Sequence, residues 1–383
     1  MINSVKRKRV QMALGYYVQD INIGVTKYAR NAGWILTDIS SRRHSPPTDW
    51  QGDGIITLVI DRSQTWLIDY LKKNEFLPIV KIANDLPELD YPVVQPDNWE
   101  IGRLAAEELI HRGFRQLGFY SHSLTAQVVQ ERLQGFMDAA SKASLEVIIL
   151  EYQNYRSSSN SPLDHMKWLE KQLGAISKPV GFMAHYDLEA ADLVTAALQG
   201  GIQIPNELSV IGVDNDPVYC ELGQIPLSSV DSNLETVGYR AAQLLDDMMN
   251  GNPRPTSPIR IPPKGVVVRQ SSDIFSTDNL AVQKAVYFIR ENFMNDLSVE
   301  DVVKPSGVSR RILYKLFNEI LGCSIQKEIN RQKFDYAKML LSETDFKVRD
   351  IAKKCGCSDA MLFSKSFKNF VGESPYHYRN QCH

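Results

Sequence analysis

Leu297-Ser298-Val299-Glu300-Asp301-Val302-Val303-Lys304-Pro305-Ser306-Gly307-Val308-Ser309-Arg310-Arg311-Ile312-Leu313-Tyr314-Lys315-Leu316-Phe317 is the stretch on which the reading of this chain turns. Ser298 can cap a helix whose Val299, Val302 and Val303 fall on one face, and Asp301 follows near its positive end. Pro305 and Gly307 then stop that helix and turn the chain. Ser309 caps a second helix, held to a core by Leu313 and Phe317 one turn apart. Helix, sharp turn and helix make a helix-turn-helix unit, here about 297–318.

The same grammar returns further on. Shifted by 50 positions, Leu313 meets Phe363, Lys315 meets Lys365, Phe317 meets Phe367, Gly322 meets Gly372 and Ser324 meets Ser374. In this second unit, about 347–370, Val348, Ile351, Ala352 and Cys355 make the supporting face. Gly356 makes the turn, and Phe363, Phe367 and Phe370 anchor the following helix. The outward face of the first unit carries Arg310, Arg311, Tyr314 and Lys315, and that of the second Met361, Leu362, Ser364, Lys365 and Lys368. No acid lies between Ser309 and Asn318 or between Ala360 and Phe370. A helix in the major groove needs cations for phosphates, forked donors for guanine and apolar groups for thymine methyls. A solvated basic face is the plain alternative for either helix alone. Its repetition on two units points to double-stranded DNA as a partner.

Residues 280–383 resemble the DNA-binding domain of the AraC/XylS transcription regulators. The resemblance rests on Leu297 to Val302, Gly307 to Arg311, Arg331 with Ala337, Leu340 and Leu341, and Ile351-Ala352 with Cys355-Gly356-Cys357. It continues through Phe363 to Lys368 and closes on Ser374-Pro375-Tyr376-His377-Tyr378-Arg379. It implies that Arg311, Tyr314 and Lys315 face bases in the first unit, and Met361, Leu362 and Lys365 in the second. It also implies a rigid helix, about 325–341, joining the two.

Ahead of this tail, short apolar runs (10–14, 54–59, 78–82, 93–95, 116–120, 146–151, 181–184 and 209–213) alternate with helically patterned segments such as 23–31, 101–112, 132–142 and 188–199. That β-α-β rhythm belongs to parallel sheets covered on both faces, whose ligands sit beyond the carboxyl ends of the strands. Polar residues fall in those places. Asn84 and Asp85 follow one strand, Tyr186 and Asp187 another, and Asp214, Asn215 and Asp216 a third. Arg132 is expected to start the helix after the strand ending at Tyr120, and Gln19 and Asp20 to lie in the loop after the first strand. Carboxylates and amides suit vicinal hydroxyls, and arginine offers a rigid fork. For each acid the plain alternative is helix capping; it is favoured for Asp187, and a ligand role for Asp214.

This front segment resembles the ligand-binding domain of the LacI/GalR repressors, itself similar to periplasmic sugar-binding proteins. The residues that carry it include Gln95-Pro96-Asp97-Asn98, His111 to Phe119, Glu131 to Phe136, Ile204 to Asp214 and Leu227 to Val230. The resemblance implies that Arg132 and Asp214 hold a sugar, with Tyr186, Asn84 and Asp20 as further contacts. A LacI-type sensor followed by an AraC-type tail looks like the activators of bacterial xylose operons, which implies a pentose effector, xylose.

The expected fold is therefore a two-lobed α/β periplasmic-binding-protein-like sensor (1–272), a linker (273–279) and an all-α double helix-turn-helix domain (280–383). With 383 residues, 43% hydrophobic and 23% charged, the chain fits a globular protein of two or three domains. Residues 276–383 hold 17 Lys and Arg against 13 Asp and Glu, while the rest of the chain is net negative, so the tail is the part suited to a polyanion. No run of about 18 apolar residues spans a membrane. The basic start to Arg9 and the apolar 10–17 mimic a secretion signal, but no small-residue cleavage site follows. Five scattered cysteines fit reduced thiols in a cytoplasm. Cys355 and Cys357 read as thiols in a turn rather than as a metal pair. There is no phosphate-cradling loop, nucleophile elbow or HExxH, so neither an enzyme, a metal nor a cofactor is expected. The expected protein is a homodimeric activator meeting RNA polymerase. The alternatives are a repressor of the same build answering another sugar, and a stand-alone cytoplasmic sugar-binding protein.

Overall fold

The computed structural model describes residues 7–40, 50–60, 62–83, 86, 88–153, 162–274 and 279–382. The chain divides into two compact units, one of residues 1–109 and 115–274, the other of 110–114 and 275–383. The expected linker lies mostly outside the described residues.

The strands of the first unit are β1 (Arg9–Leu14), β2 (Ile35–Asp38), β3 (Gly54–Leu58), β4 (Ile79–Ile82), β5 (Val93–Pro96), β6 (Leu117–Ser121), β7 (Val147–Glu151), β8 (Val180–Ala184), β9 (Leu208–Val213), β10 (Ser228–Asp231), β11 (Ile259–Ile261) and β12 (Gly265–Val267). Its helices are α1 (Gln19–Asn31), α2 (Thr65–Lys73), α3 (Asn98–His111), α4 (Gln127–Lys142), α5 (Pro162–Ala175), α6 (Asp187–Gln199), α7 (Pro217–Leu222) and α8 (Leu234–Met249). Two six-stranded sheets result, in the orders β11-β5-β4-β3-β1-β2 and β12-β10-β9-β8-β6-β7. The pairings are parallel, except that β12 runs antiparallel to β10. Strands covered on both faces must be apolar throughout, and β3, β8 and β9 are buried at every position.

Each sheet has its own core. On the first, Val10, Met12 and Leu14 pack with Ile21 and Val25 of α1 and Val237, Ala241 and Leu245 of α8. On the second, Tyr120, Phe182 and Val210 pack with Leu169 and Leu173 of α5 and Leu193 and Ala197 of α6. The chain passes between the sheets through α3, through α8 and from β11 to β12. These three crossovers make two lobes with a hinge. The expected strands form within a residue or two at each end, while β2, β10, β11 and β12 were not anticipated.

The second unit consists of α9 (Leu280–Asn292), α10 (Val299–Ser306), α11 (Arg310–Leu316) continued by a π-helical turn (Phe317–Leu321), α12 (Ile325–Glu343), α13 (Val348–Lys354), α14 (Ala360–Val371) and α15 (Pro375–Cys382). Ser298 and Asp301 close a reciprocal capping box at the start of α10. Pro305 does not stop α10, contrary to expectation. It sits in the last turn, where the missing N–H costs one bond near the helix end, and Gly307 at φ 75° ends the helix. The connecting helix serves both halves of the unit. Ile325 and Ile329 of α12 belong to the core of the first helix-turn-helix, and Phe334, Ala337, Leu340 and Leu341 to that of the second. Among the described residues no helix is long and apolar enough to cross a membrane.

Candidate effector pocket and nucleic-acid interface

The candidate effector site lies at the ends of β9 and β10. After Val213 the backbone takes two successive left-handed conformations, Asp214 at φ 97° and Asn215 at φ 53°. Such residues are costly without a side-chain-free backbone and persist where their surroundings over-determine them. Here the Asp214 N–H donates to the Val230 carbonyl at 2.9 Å, and the Asn215 N–H to Ser229 Oγ at 2.9 Å. Ser232 Oγ donates to Asp214 Oδ1 at 2.7 Å. The Asp214 carboxylate is thereby fixed, with its side chain 31% exposed.

Arg132 faces it. Rather than starting its helix, as expected, Arg132 lies in the second turn of α4, which begins at Gln127. The side chain is 5% exposed; Nε donates to Asn98 Oδ1 at 3.0 Å and one terminal nitrogen donates to the His185 carbonyl. The other terminal nitrogen stands 3.6 Å from Asp214 Oδ1, beyond direct hydrogen-bond reach. A hydroxyl beside the pair, about 2.8 Å from each, would accept from the guanidinium and donate to the carboxylate. Close helix packing sets this geometry. A Cβ on Gly135 of α4 would come within 1.9 Å of the Trp99 carbonyl, and one on Gly102 of α3 within 1.8 Å of the Arg132 carbonyl.

Asp187 is no cap; Tyr186 holds the cap position, and Asp187 is buried beneath the ends of β9 and β10. Its carboxylate accepts from Ser229 Oγ at 2.6 Å and the Asp216 N–H at 2.7 Å. Burial pushes it up to about 7, with the charge of Asp214 adding in the same direction. Tyr186 is half-buried, and its hydroxyl is held well above the usual phenol range by burial, then by Glu189 and Asp192, with Tyr219 and Tyr16 also within electrostatic reach.

Asp20 is in the first turn of α1, not in a loop. Burial raises it, followed by the charges of Asp231 and Glu235, with Lys264 opposing and Asp216 adding. A residue of the first lobe thus shares its field with the end of β9 in the second. Asn84 lies outside the described residues. Sequence reading missed Asn98, Ser232 and the His185 carbonyl as supports of the Arg132–Asp214 pair. The position of Asn98 just past β5, at the start of a helix, was the one available signal.

The second unit presents two equivalent helices. Position for position, the sequence of exposed, intermediate and buried residues from Arg311 to Ile320 is repeated from Met361 to Phe370. Leu313 and Phe317 are buried in one, Phe363 and Phe367 in the other, and each phenylalanine contributes about 1.5–3 kcal/mol of burial. Ser309 accepts from the Ile312 N–H, and Asp359 from the Met361 and Leu362 N–H groups, so both helices are capped. Gly322 and Gly372, both left-handed, end them.

The outward faces differ in detail. Arg310 pairs with Glu300 and lies 5.4 Å from the centre of the Tyr314 ring, and Lys315 stands 3.7 Å from Glu319. Among the described residues Arg311, Lys365 and Lys368 have no carboxylate partner, and all three are exposed. Met361 is 83% and Leu362 62% exposed. Ser364 is turned back on its own helix, donating to the Ala360 carbonyl at 2.8 Å. Cys355 is fully buried in the turn core, and burial pushes its thiol up to about 12. Lys333 of α12 donates to the Gly356 carbonyl at 3.2 Å, fixing that turn to the connecting helix.

Residues 106–272 match a periplasmic binding protein-like domain and residues 303–381 a helix-turn-helix domain. The chain thus joins a periplasmic binding protein-like domain to a helix-turn-helix domain. It is 27% identical over 395 residues to a xylose operon regulatory protein of Escherichia coli K12, covering 98% of this chain and 97% of that one. A xylose operon regulatory protein of Haemophilus influenzae is 28% identical over 337 residues, covering 86% and 85%. Among solved structures, a xylose-binding transcription activator shares the fold over 98% of both chains, with a TM-score of 0.60 at 24% identity.

Proposed function

We propose that this chain is a sugar-responsive, sequence-specific DNA-binding transcription regulator of xylose utilisation, acting as an activator in the cytoplasm. The observation that carries the sugar response is the Arg132–Asp214 pair at the carboxyl end of β9, whose nitrogen and oxygen, 3.6 Å apart, lie within reach of one hydroxyl beside them. The whole-length likeness to xylose operon regulatory proteins supports a pentose, xylose, as the effector.

Tyr186, Asp20 and Asn84 complete the sugar contacts. Ligand favours the closed state of the two lobes because only there do Asp20 and the Arg132–Asp214 pair reach one polyol. A swing from 1:99 to 99:1 needs a differential affinity of about 5.5 kcal/mol. Two to four charge-assisted hydrogen bonds at about 1.5–3 kcal/mol each supply it. Closure in a homodimer then reorients the paired tails, residues 280–383, on the operator, where they meet RNA polymerase. Arg311, Tyr314, Lys315, Met361, Leu362 and Lys365 read base edges, while Arg310, Ser364 and Lys368 lie along the backbone.

The test is thermal unfolding of the full chain with xylose, arabinose, ribose and glucose, followed by footprinting on the promoter DNA of a xylose operon with and without the best ligand. Stabilisation by xylose and ligand-dependent protection are expected. Stabilisation by another sugar alone would replace the effector, and ligand-dependent loss of protection would make the protein a repressor.

A further inference from the structure

In the second lobe three side chains from separate elements converge. His122 follows β6, His165 lies on α5 and Asp192 on α6, and one donor atom of each lies within 4.8 Å of the others. His122 Nε2 is 3.7 Å and His165 Nδ1 4.0 Å from the same oxygen, Asp192 Oδ2. The two imidazoles meet edge to face with centroids 4.5 Å apart.

We infer that His122, His165 and Asp192 form a binding site for a divalent transition-metal ion of the zinc class. Two imidazoles and a carboxylate with a fourth position open are a known zinc donor set. Bonds of about 2.0–2.2 Å place tetrahedral donors about 3.3–3.5 Å apart, so the cluster needs only a small inward rotation. His122, 42% exposed, and Asp192, 27% exposed, can supply that rotation and leave a path for entry.

The surroundings already have the form of an outer shell. His165 Nε2 and the Tyr120 hydroxyl are 2.6 Å apart, so with Nδ1 on the metal, Nε2–H has the Tyr120 oxygen as its acceptor. The Tyr152 ring lies 4.5 Å from His165 and shields it. Glu189 Oε1 accepts from the His122 backbone N–H at 2.8 Å, holding that loop to α6. Glu189 also stands 3.4 Å from His185 Nδ1, and the His185 carbonyl holds Arg132, so the metal site lies one residue away from the framework of the sugar pocket.

The experiment is titration of full-length protein, stripped with chelator, with Zn2+ by calorimetry and with Co2+ by visible absorption. One ion per chain is expected, with a tetrahedral Co2+ spectrum that Zn2+ abolishes. His122→Gln and Asp192→Asn, at partly exposed positions, should each weaken binding at least 100-fold while His377→Gln leaves it unchanged. Folding of each variant is checked by unaltered operator binding. Absence of tight binding in the wild type, or equal binding in His122→Gln and Asp192→Asn, overturns the assignment.

Discussion

Arg132 and Asp214 stand 3.6 Å apart, the arginine 5% and the aspartate 31% exposed, each fixed by partners other than the other. The pair is charge-compensated yet not closed by a hydrogen bond. Asp214→Ala should therefore abolish sugar-induced stabilisation and leave operator binding without sugar within about twofold. Melting with and without xylose, beside a gel-shift titration, checks this. A full sugar response in the variant would place the effector elsewhere.

Arg311 and Arg310 are adjacent but differently engaged, the second paired with Glu300 and the first without a carboxylate partner among the described residues. Arg311→Ala should cost about 1–3 kcal/mol on the operator and relax selection at one base pair. Arg310→Ala should weaken operator and scrambled DNA alike. Binding to a panel of single-base operator variants separates the two, and equal losses for Arg311→Ala on all sequences would reduce it to a phosphate contact.

The two helix-turn-helix turns bear different loads. Gly307 is left-handed but open, whereas a Cβ on Gly356 would meet the Asn295 carbonyl at 2.2 Å. Gly307→Ala should cost about 1–2 kcal/mol from backbone conformation alone. Gly356→Ala should cost about 2–5 kcal/mol, because overpacking adds to the same strain. Urea unfolding followed at the tail, with DNA binding as a second readout, ranks them; equal costs would contradict the packing of Gly356.

His165 supplies a pH signature. Its folded value, about 4, lies below the unfolded 6.5, so its contribution to stability is full above pH 6.5 and is lost as pH falls toward 4. Asp192, raised to about 6 by burial and Glu189, acts in the opposite sense but is present in wild type and variant alike. With chelator present, wild type should lose stability relative to His165→Gln between pH 6.5 and 4. Denaturation midpoints at half-unit steps test it, and a difference independent of pH would exclude a depressed His165.

Much of this molecule was legible because its elements are locally consistent. Buried parallel strands such as β3 are unbroken apolar runs, and the tail carries its caps, turns and periodicity in plain order. The strands that escaped notice are short edges or misleading in composition. β11 and β12 have three residues each, and β2 is largely exposed. β10 reads Ser-Ser-Val-Asp, yet its serines are buried because Ser271, Arg269 and Asp187 satisfy them. The structure brings Arg132 and Asp214 to 3.6 Å of each other, whereas Asp187, expected at a cap, is a buried acceptor. The His122, His165 and Asp192 cluster has no motif spacing at all; only the topology of the second sheet assembles it.

The repeated burial order of the two equivalent helices separates, on the proposed function, what would be read from what holds. The inward residues of both slots fix posture, and the outward ones can change without disturbing them. Binding sites for such a protein can therefore diverge one half at a time, the unaltered slot keeping the regulator on its promoter while the other acquires a new vocabulary. Transplanting Arg311, Ile312 and Tyr314 onto positions 361, 362 and 364 would write the same word twice.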